Sequence, residues 1–449
     1  MFRGRIAGFL MVVGTVLACE WASADAWKAG AGAVVITPER DMWMSGYASR
    51  KEPSNGKVHD LFAKAIVLED ATGTKSAIIT TDLIGMTKAI SDATAKIVNE
   101  KFGIPRERLM VTASHTHCGP ALAGNLEVMF DLDAEHSARV SAYTGALPGK
   151  MATAVEKAIA ELAPVSLEWA QTEAGFAVNR RQYTLKGVSL GVNPIGPVDR
   201  SVPMIVARSA GGTVKAVLFG YACHNTTLDF QQLSGDYAGF AQAHIEANSS
   251  GTIALFVSGC GGDANPDPRR TLELARQHGD ELGAAVVQAM RTSGRALATP
   301  IRAQFQEVAL ALSAPPTREQ LEAQAADADI YIQRRAKRLL AEWDAKGALA
   351  ESKPYPVQVW QFGDGLRVVG LGGEVVVDYA LRLKHEFGAD KTFVIGYAND
   401  VMGYIPSLRV LREGGYEPET SNIYYGLYGP WAPTIEETII SAVHELAGR

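Results

Sequence analysis

The chain has 449 residues, 47% of them hydrophobic and 20% charged, which is the composition of a soluble globular protein long enough to bury a large core. Its formal net charge is −6, and it has no long basic run and no interleaving of basic with aromatic residues, so nucleic acid is excluded as an expected partner. Beyond the N-terminal apolar segment no stretch reaches the ~18 consecutive apolar residues of a membrane span, so the only membrane contact that we expect is peripheral.

The N-terminus has the pattern of a secretory signal. The basic "MFRGR" precedes the apolar "IAGFLMVVGTVLAC", and Ala22–Ala24 fit a signal-peptidase site. We therefore predict a signal peptide over residues 1–24, an exported protein and a mature hydrolase domain over residues 25–449. In a second interpretation, "VLAC" resembles a bacterial lipobox, and lipidation of Cys19 would tether the protein to a membrane.

Short apolar runs of strand length alternate with segments of helical periodicity along the rest of the chain. This alternation predicts a single α/β domain with a mixed sheet. Polar residues of catalytic type follow several of the strands, where open α/β sheets place their ligands. The predicted elements are, in chain order, strands at "AKAIVL" and "SAIITTDLI", a helix at "TKAISDATAKIVNEKF", a strand at "RLMVTAS", a hairpin at "MIVARSAGGTVKAVLFGYACH", a strand at "GTIALFVSG", one long charged helix at "TREQLEAQAADADIYIQRRAKRLLAEWDAK", a hairpin at "VQVWQFGDGLRVVGL", a helix opened by Glu374, and a strand at "KTFVIGYAND".

Two histidines, His115 and His117, stand one residue apart at the end of a predicted strand, in "ASHTHCGP". His-x-His is a common spacing of zinc ligands, because imidazole nitrogens bind zinc at ~2.0–2.1 Å and must converge on it. The alternative is a pair of hydrogen-bonded loop histidines, and the motif alone does not decide between the two.

Two further residues extend the candidate metal site. His224 ends the strand in "YACHNTTL", and Glu374 follows two glycines in "LGGEVVVDY". A lone strand-end histidine is usually a satisfied core residue, and a glutamate at a helix start is usually a cap. Taken with His115, however, they make two histidines and one glutamate, a familiar catalytic zinc set that keeps a position open for water.

Tyrosines and arginines complete the candidate site. Tyr404 in "GYIP" and Tyr416 in "GGYEPE" are either packing residues or phenols that ligate a metal or donate to a carbonyl. Arg180 and Arg181 in "NRRQY" are either a solvated basic pair or a fixed donor fork for an oxyanion.

Read in order, these motifs resemble the catalytic domain of the neutral ceramidases, the non-lysosomal zinc amidases. The resemblance runs from about residue 28 to the C-terminus, is weakest near residues 317–348, and does not extend to the C-terminal β-sandwich domain of those enzymes. The motifs that carry it are "HTHCGP", "NR", "ACHNTT", "SGDYAG", "GCGGDANP", "GGE", "GYIP", "YE" and "YGPW", with "GYASR", "HDLFAKAIVLED" and "TTDLIGM" matching the opening of the domain.

The resemblance implies a role for each matched residue. Its zinc (Zn2+) ligands fall on His115, His224, Glu374 and Tyr404, its proton shuttle on His117, its active-site arginine on Arg180 and its substrate-facing tyrosine on Tyr416. The implied reaction is hydrolysis of the amide of ceramide to sphingosine and a fatty acid. The implied partner is a lipid or small-molecule substrate, with no obligate protein partner.

Two features of the chain depart from the family pattern. The family's Gly-Asp-x-Ser-Pro-Asn motif, whose serine is often assigned as a nucleophile, reads "GDANPD" here, so Asn265 takes the serine position. An amide cannot attack a carbonyl, so a zinc-activated water fits this chain and a serine-acyl route does not; Asn265 can still donate to an oxyanion. The missing β-sandwich leaves open a non-lipid amide or ester substrate, or a binding homologue without turnover.

The cysteines are a further departure, since Cys118 stands where the family has serine. Together with Cys223 and Cys260 it leaves an odd number in the mature chain. We expect the three to gather near one site, either packed around it or with one disulfide, and direct zinc ligation by a thiolate is a minor alternative.

Overall fold

The computed structural model describes residues 27–448. The predicted signal peptide over residues 1–24 and the candidate lipidation site Cys19 lie outside the described residues. The strands are β1 (Trp27–Val35), β2 (Phe62–Glu69), β3 (Lys75–Thr81), β4 (Leu109–Ala113), β5 (Ala163–Glu173), β6 (Ala177–Thr184), β7 (Gly187–Asn193), β8 (Ser201–Arg208), β9 (Val214–Tyr221), β10 (Ile253–Ser258), β11 (Ala264–Pro266), β12 (Arg295–Ala296), β13 (Ile301–Ala311), β14 (Ser352–Phe362), β15 (Leu366–Leu371), β16 (Glu374–Val375), β17 (Thr392–Ile395) and β18 (Tyr404–Ile405).

The helices surround these strands. Of those within residues 27–448, none is both long and apolar enough to cross a membrane. They are α1 (Lys88–Phe102), α2 (Ala134–Ala160), α3 (Asp236–Asn248), α4 (Leu272–Met290), α5 (Arg318–Gln324), α6 (Ile330–Lys346), α7 (Val377–Phe387), α8 (Leu408–Glu413), α9 (Asn422–Tyr425) and α10 (Ile435–Leu446), with 3₁₀ turns at Arg106–Arg108, Glu127–Met129 and Ala389–Lys391 and a π-helical turn at Tyr416–Thr420.

A nine-stranded mixed sheet forms the centre, in the order β10-β9-β8-β5-β1-β2-β3-β4, with β12 paired to β5. The pairs β3–β4 and β9–β10 are parallel, because α1 and α3 connect them as crossovers. A second sheet has the order β13-β14-β15-β17, and β11-β6-β7 and β16-β18 form two smaller ones. The predicted mixed α/β fold is confirmed, as are both hairpins, which form β8–β9 and β14–β15.

Successive side chains of each strand point to opposite faces of the large sheet, and each face packs against a different layer. In β2, Ala65 and Val67 pack with α1 and α2, whereas Ile66 and Leu68 pack against the second sheet. The outer face of the second sheet is covered by α7 and α10, and α3 and α4 cover the large sheet beside β8–β10. The result is two sheets packed face to face between helical layers.

The two ends of the large sheet come together at the carboxyl ends of β4 and β10. The hydroxyl of Ser258 donates to the carbonyl of Ser114 at 3.0 Å. Other residues occupy main-chain groups at the two edges. In β4, the N–H of Val111 donates to Oδ1 of Asn399, and its carbonyl accepts from the backbone N–H of Asn399. In β10, Lys64 donates to the carbonyl of Ala254, and the N–H of Ala254 donates to Glu246. Residues that follow β4, β9 and β10 therefore lie near one another.

Two predicted elements are corrected. The long charged helix is two helices, α5 and α6, because Asp329 breaks the run and caps α6 by accepting from the N–H groups of Tyr331 and Ile332. Glu374 does not open a helix: it lies in the short strand β16, and α7 begins only at Val377.

Candidate metal centre

The two histidines of "HTH" lie directly after β4, buried, with their Nε2 atoms 3.1 Å apart. His115 has φ 58°, in the left-handed region that bulky residues rarely adopt. Its Nδ1 lies 2.5 Å from the carbonyl oxygen of Ile84. Because a carbonyl only accepts, Nδ1 is the donor, and in this tautomer the ring of His115 presents a lone pair at Nε2.

His224 follows β9 and repeats the same arrangement. Its Nδ1 lies 2.7 Å from the carbonyl oxygen of Gly261, which fixes the same tautomer. Burial, and then the charge of Arg180, lowers the pKa of His224 to about 4, so the ring is neutral at physiological pH. Its Nε2 presents a second lone pair to the site.

The carboxylate of Glu374 meets both lone pairs. Its Oε2 lies 3.0 Å from Nε2 of His115 and 2.9 Å from Nε2 of His224. Its Oε1 accepts from the hydroxyl of Tyr425 at 2.5 Å, whereas Oε2 is buried and has no hydrogen-bond partner. Burial acts to raise the pKa of Glu374, but the adjacent His115 and His224 hold it well below its ordinary value. Two imidazole nitrogens thus lie within 3.0 Å of one carboxylate oxygen.

Tyr404 adds a phenol to this group. It lies in β18, where it pairs in register with Glu374 of β16, and its hydroxyl is 3.1 Å from Nε2 of His224. Ring nitrogens of His115, His117 and His224 also lie within 4.8 Å of one another and could hold a metal ion. A cation is what converging acceptors of this kind require, so the residues present fit a metal ion.

His117 sits beside the group with a free nitrogen. Burial first, and then the neighbouring His115 and His224, lowers its pKa well below the ordinary value. Its Nδ1 is buried without a partner, and a Cβ on Gly46 would lie 2.4 Å from that atom, so only glycine fits there. The guanidinium of Arg50 donates to the carbonyl of His117 at 2.6 Å and fixes its backbone.

Arg180 projects from β6 over the phenols of Tyr404 and Tyr416, at 5.3 and 5.5 Å from their ring centroids. Its Nε donates to Glu417 at 2.8 Å and its Nη1 to Oδ1 of Asn265 at 3.4 Å, while Nη2 is buried without a partner. The guanidinium is therefore held on two sides and keeps one donor for a ligand.

A cavity of about 320 Å³ opens onto these groups. The hydroxyl of Thr226 and Arg180 both donate to Oδ1 of Asn265, so the amide nitrogen of Asn265 remains as its donor. The structure thus brings every predicted catalytic residue to one cavity, whose lining includes His117, Arg180, His224, Asn265, Tyr404 and Tyr416.

Arg181 has a different role from its neighbour. It is buried and donates to Glu417 at 2.5 Å, to Glu413 at 3.1 Å and to the carbonyl of Gly414. Neither a solvated pair nor a donor fork for a ligand describes this residue, because these three partners already occupy its guanidinium. Glu417, which the sequence reasoning did not single out, joins Arg180 to Arg181.

Three further residues at the site were not given roles from sequence. Tyr425, in the quoted run "YYGLYGPW", is the donor to Glu374. Tyr397 has φ 54° and a ring centroid 4.4 Å from that of His115. Asp263 accepts from the N–H of Val377 and from Asn179, and burial raises its pKa to about 7. The positive φ of Tyr397 has no sequence signal, since it is not a glycine.

Of the two alternatives for the cysteines, the disulfide is wrong. Cys118, Cys223 and Cys260 are free, buried thiols, and each packs in a different hydrophobic cluster. Burial raises the pKa of Cys118 to about 12, and it also raises those of the other two, which disfavours the thiolate that a metal would need.

Comparisons with known proteins identify a family and a shared fold. Residues 27–273 match the family model described as neutral/alkaline non-lysosomal ceramidase, N-terminal. The neutral ceramidase of Pseudomonas aeruginosa has the same fold, with a TM-score of 0.71, 20% identity, and coverage of 94% of this chain and 75% of that one. A structure described as a ceramidase complexed with C2 has a TM-score of 0.71 and 19% identity, and the match covers 94% of this chain and 76% of that one.

No curated protein gives a significant match to the sequence. The family match nevertheless covers more than half of the 449 residues and includes both histidines of the "HTH" motif, His224, Arg180 and Asn265. The chain belongs to the neutral/alkaline non-lysosomal ceramidase family.

Proposed function

We propose that the protein is a zinc-dependent hydrolase that cleaves the amide of an N-acyl, ceramide-like lipid to a sphingoid base and a fatty acid, using zinc-activated water. The observation that carries the proposal is the convergence of two imidazole lone pairs on the unpartnered Oε2 of Glu374. The predicted ligands are His115, His224, Glu374 and Tyr404. Nitrogen and carboxylate ligands of this kind suit zinc, which supplies Lewis-acid activation of water and of a carbonyl group.

The chain's own residues provide the proton transfers. His117 is neutral and its Nε2 lies 3.1 Å from that of the predicted ligand His115, so the ring is placed to take a proton from the attacking water and return it to the leaving amine. Its position is held by Gly46 on one side and by the Arg50 hydrogen bond on the other.

Charge that develops on the amide oxygen has a donor prepared for it. Arg180, whose Nη2 has no hydrogen-bond partner within the described chain, and Tyr416 both line the cavity. Donors that are already oriented stabilise an oxyanion without reorganisation at the moment of reaction. Asn265 has no nucleophilic atom, and its contact with Arg180 supports a role in orienting that guanidinium and donating from its amide nitrogen.

The substrate class has an alternative. Beside the phenols the cavity includes Arg180, Arg269 and Arg270, and this polar lining favours a substrate with a charged group over a purely apolar one. A non-lipid amide or ester is therefore the second candidate, whereas a binding protein without turnover leaves the converged acceptors unexplained. Export of the mature chain, or its tethering through Cys19, is part of the proposal.

The test is a turnover panel of ceramides, other N-acyl lipids, short-chain amides and esters, with and without a chelator. We expect hydrolysis that the chelator abolishes and zinc restores. Purified mature protein with a zinc content near zero, unchanged by added zinc, would contradict the proposal. Metal-dependent hydrolysis confined to soluble amides or esters would select the second candidate.

A second experiment distinguishes the role of His117 from that of His115. His117→Gln should lower kcat by about 10²- to 10⁴-fold and leave the zinc content near one per chain, since it removes a proton carrier and not a ligand. His115→Gln should lose the metal as well. Metal analysis and steady-state kinetics on both variants check this, and loss of zinc in His117→Gln would make His117 a ligand.

A further inference from the structure

The loop between β11 and α4 contributes two arginines, Arg269 and Arg270, to the catalytic cavity, which also contains Arg180. The cavity-lining residues of the described chain include three arginines and no aspartate or glutamate. Two of the three arginines form an ion pair with a carboxylate: Arg180 with Glu417 at 2.8 Å, and Arg270 with Asp229 at 2.6 Å.

Arg269 differs from both neighbours. It is half-buried, and its guanidinium has no hydrogen bond or ion pair with any residue from 27 to 448. Burial, followed by the positive charge of Arg270, lowers the pKa of Arg269, whereas Tyr47 and Asp229 act in the opposite direction. A partly desolvated cation that shares a cavity with two other arginines costs free energy unless an anion pairs with it.

The loop that carries Arg269 is held in place. The N–H of Asp267 donates to the carbonyl of Phe176 at 3.0 Å, and the N–H of Arg270 donates to that of Thr227 at 2.7 Å. The imidazole of His278, in α4, bonds the carbonyl of Pro268 at 2.7 Å. A charge on a backbone fixed at three points is oriented for a ligand before the ligand arrives.

We propose that Arg269 forms an anion-binding subsite of this cavity, so that the substrate is an N-acyl compound carrying a carboxylate or phosphate near its amide. The inference rests on the proposed hydrolase function and favours an anionic N-acyl substrate over a neutral ceramide. A cavity of about 320 Å³ is at the small end of ligand sites, so a group a few bonds from the amide reaches its wall. A neutral headgroup would bury Arg269 unpaired, whereas an anionic one pairs with it.

Three amphiphiles with one acyl chain provide the test: N-octanoylglycine, N-octanoyl-O-phosphoethanolamine and neutral N-octanoylethanolamine. Their binding is measured by calorimetry, below their micelle concentrations, in the zinc-loaded His117→Gln protein, which holds ligands without turnover. We expect at least one anionic compound to bind about 10- to 100-fold tighter than the neutral one. The two anionic arms distinguish a carboxylate from a phosphate.

Substitution of Arg269 tests whether this residue causes the tighter binding of the anionic compounds. Arg269→Gln should remove it, Arg269→Lys should retain part of it, and Arg291→Gln, at an exposed arginine just after α4, should leave it unchanged. Thermal melting of each variant checks the fold. Equal affinity for all three compounds, no detectable binding of either anionic compound, or a preference that survives in Arg269→Gln would each overturn the subsite.

Turnover of the same compounds by the otherwise unmodified zinc-loaded protein separates the two proposals. An Arg269-dependent binding preference without hydrolysis of any amide or ester keeps the subsite and refutes the hydrolase. Zinc-dependent amide hydrolysis without the binding preference keeps the hydrolase and refutes the subsite.

Discussion

Glu374→Gln is expected to lose bound zinc and to reduce amide hydrolysis by about 10³-fold. The substitution keeps the shape and an oxygen for Tyr425 but removes the negative charge that faces His115 and His224. A metal ion contributes several kcal/mol of transition-state stabilisation, and each 1.36 kcal/mol is a factor of ten in rate. Metal content per chain and kcat/KM, measured on the same preparation, check the expectation.

Glu168→Gln provides the matched control. Glu168 is also a buried carboxylate, but its partner is Arg208 and it lies in β5, away from the cavity. Its substitution should cost stability and leave both the zinc content and the rate per folded chain unchanged. Full zinc occupancy and full activity in Glu374→Gln would remove Glu374 from the predicted ligand set.

Glu417→Gln is expected to have the largest effect on stability, lowering the free energy of unfolding by about 3–5 kcal/mol. One carboxylate serves two buried guanidinium groups, Arg180 at 2.8 Å and Arg181 at 2.5 Å. Without its charge, Arg180 has no carboxylate partner, and Arg181 retains only Glu413, and a buried charge that loses its partner is costly. Urea unfolding, followed by tryptophan fluorescence, measures the difference.

The same variant makes a prediction about pH. Burial acts to raise the pKa of Glu417, but the charges of Arg180 and Arg181 hold it below its ordinary value of 4.5. A depressed carboxyl pKa contributes stability above about pH 4.5, and that contribution is lost as the pH falls through the lower folded-state pKa. The difference in the free energy of unfolding between the original protein and Glu417→Gln should therefore become smaller below pH 4.5.

Glu437→Gln is the surface counterpart for comparison. Glu437 also pairs with an arginine, Arg382, but its side chain is 68% exposed, so its loss should change the unfolding free energy by less than about 1 kcal/mol. A Glu417→Gln variant that is no less stable than Glu437→Gln would show that the buried network contributes little.

The positions of the site residues follow from sequence more readily than their surroundings. His115 and His224 end buried strands, and strand ends are where such patterns place ligands. The strand that begins at Glu374 has only two residues, and Glu374 pairs with Tyr404, 30 positions further along the chain. The local pattern after Glu374 therefore predicted a helix and not a strand. Pairing between distant short strands leaves no periodic signal.

The partners of the site residues were the harder part. Glu417 lies 237 positions from Arg180 in the sequence, and no spacing rule connects them. Arg181 was weighed as a solvated residue or as part of a donor fork, yet its partners Glu413 and Glu417 lie 232 and 236 positions away in the sequence. The cysteines were expected to gather because each adjoins a site motif, but their side chains point into separate apolar clusters.

The residues that bond the two edge strands of the large sheet affect how readily the protein aggregates at high concentration. An open edge strand offers unpaired main-chain groups to which a strand of another molecule can add. At β4 the main chain of Val111 is occupied by Asn399, and at β10 that of Ala254 is occupied by Lys64 and Glu246. These contacts make both edges poor templates for intermolecular strand addition, which protects the folded chain from aggregating through its largest sheet.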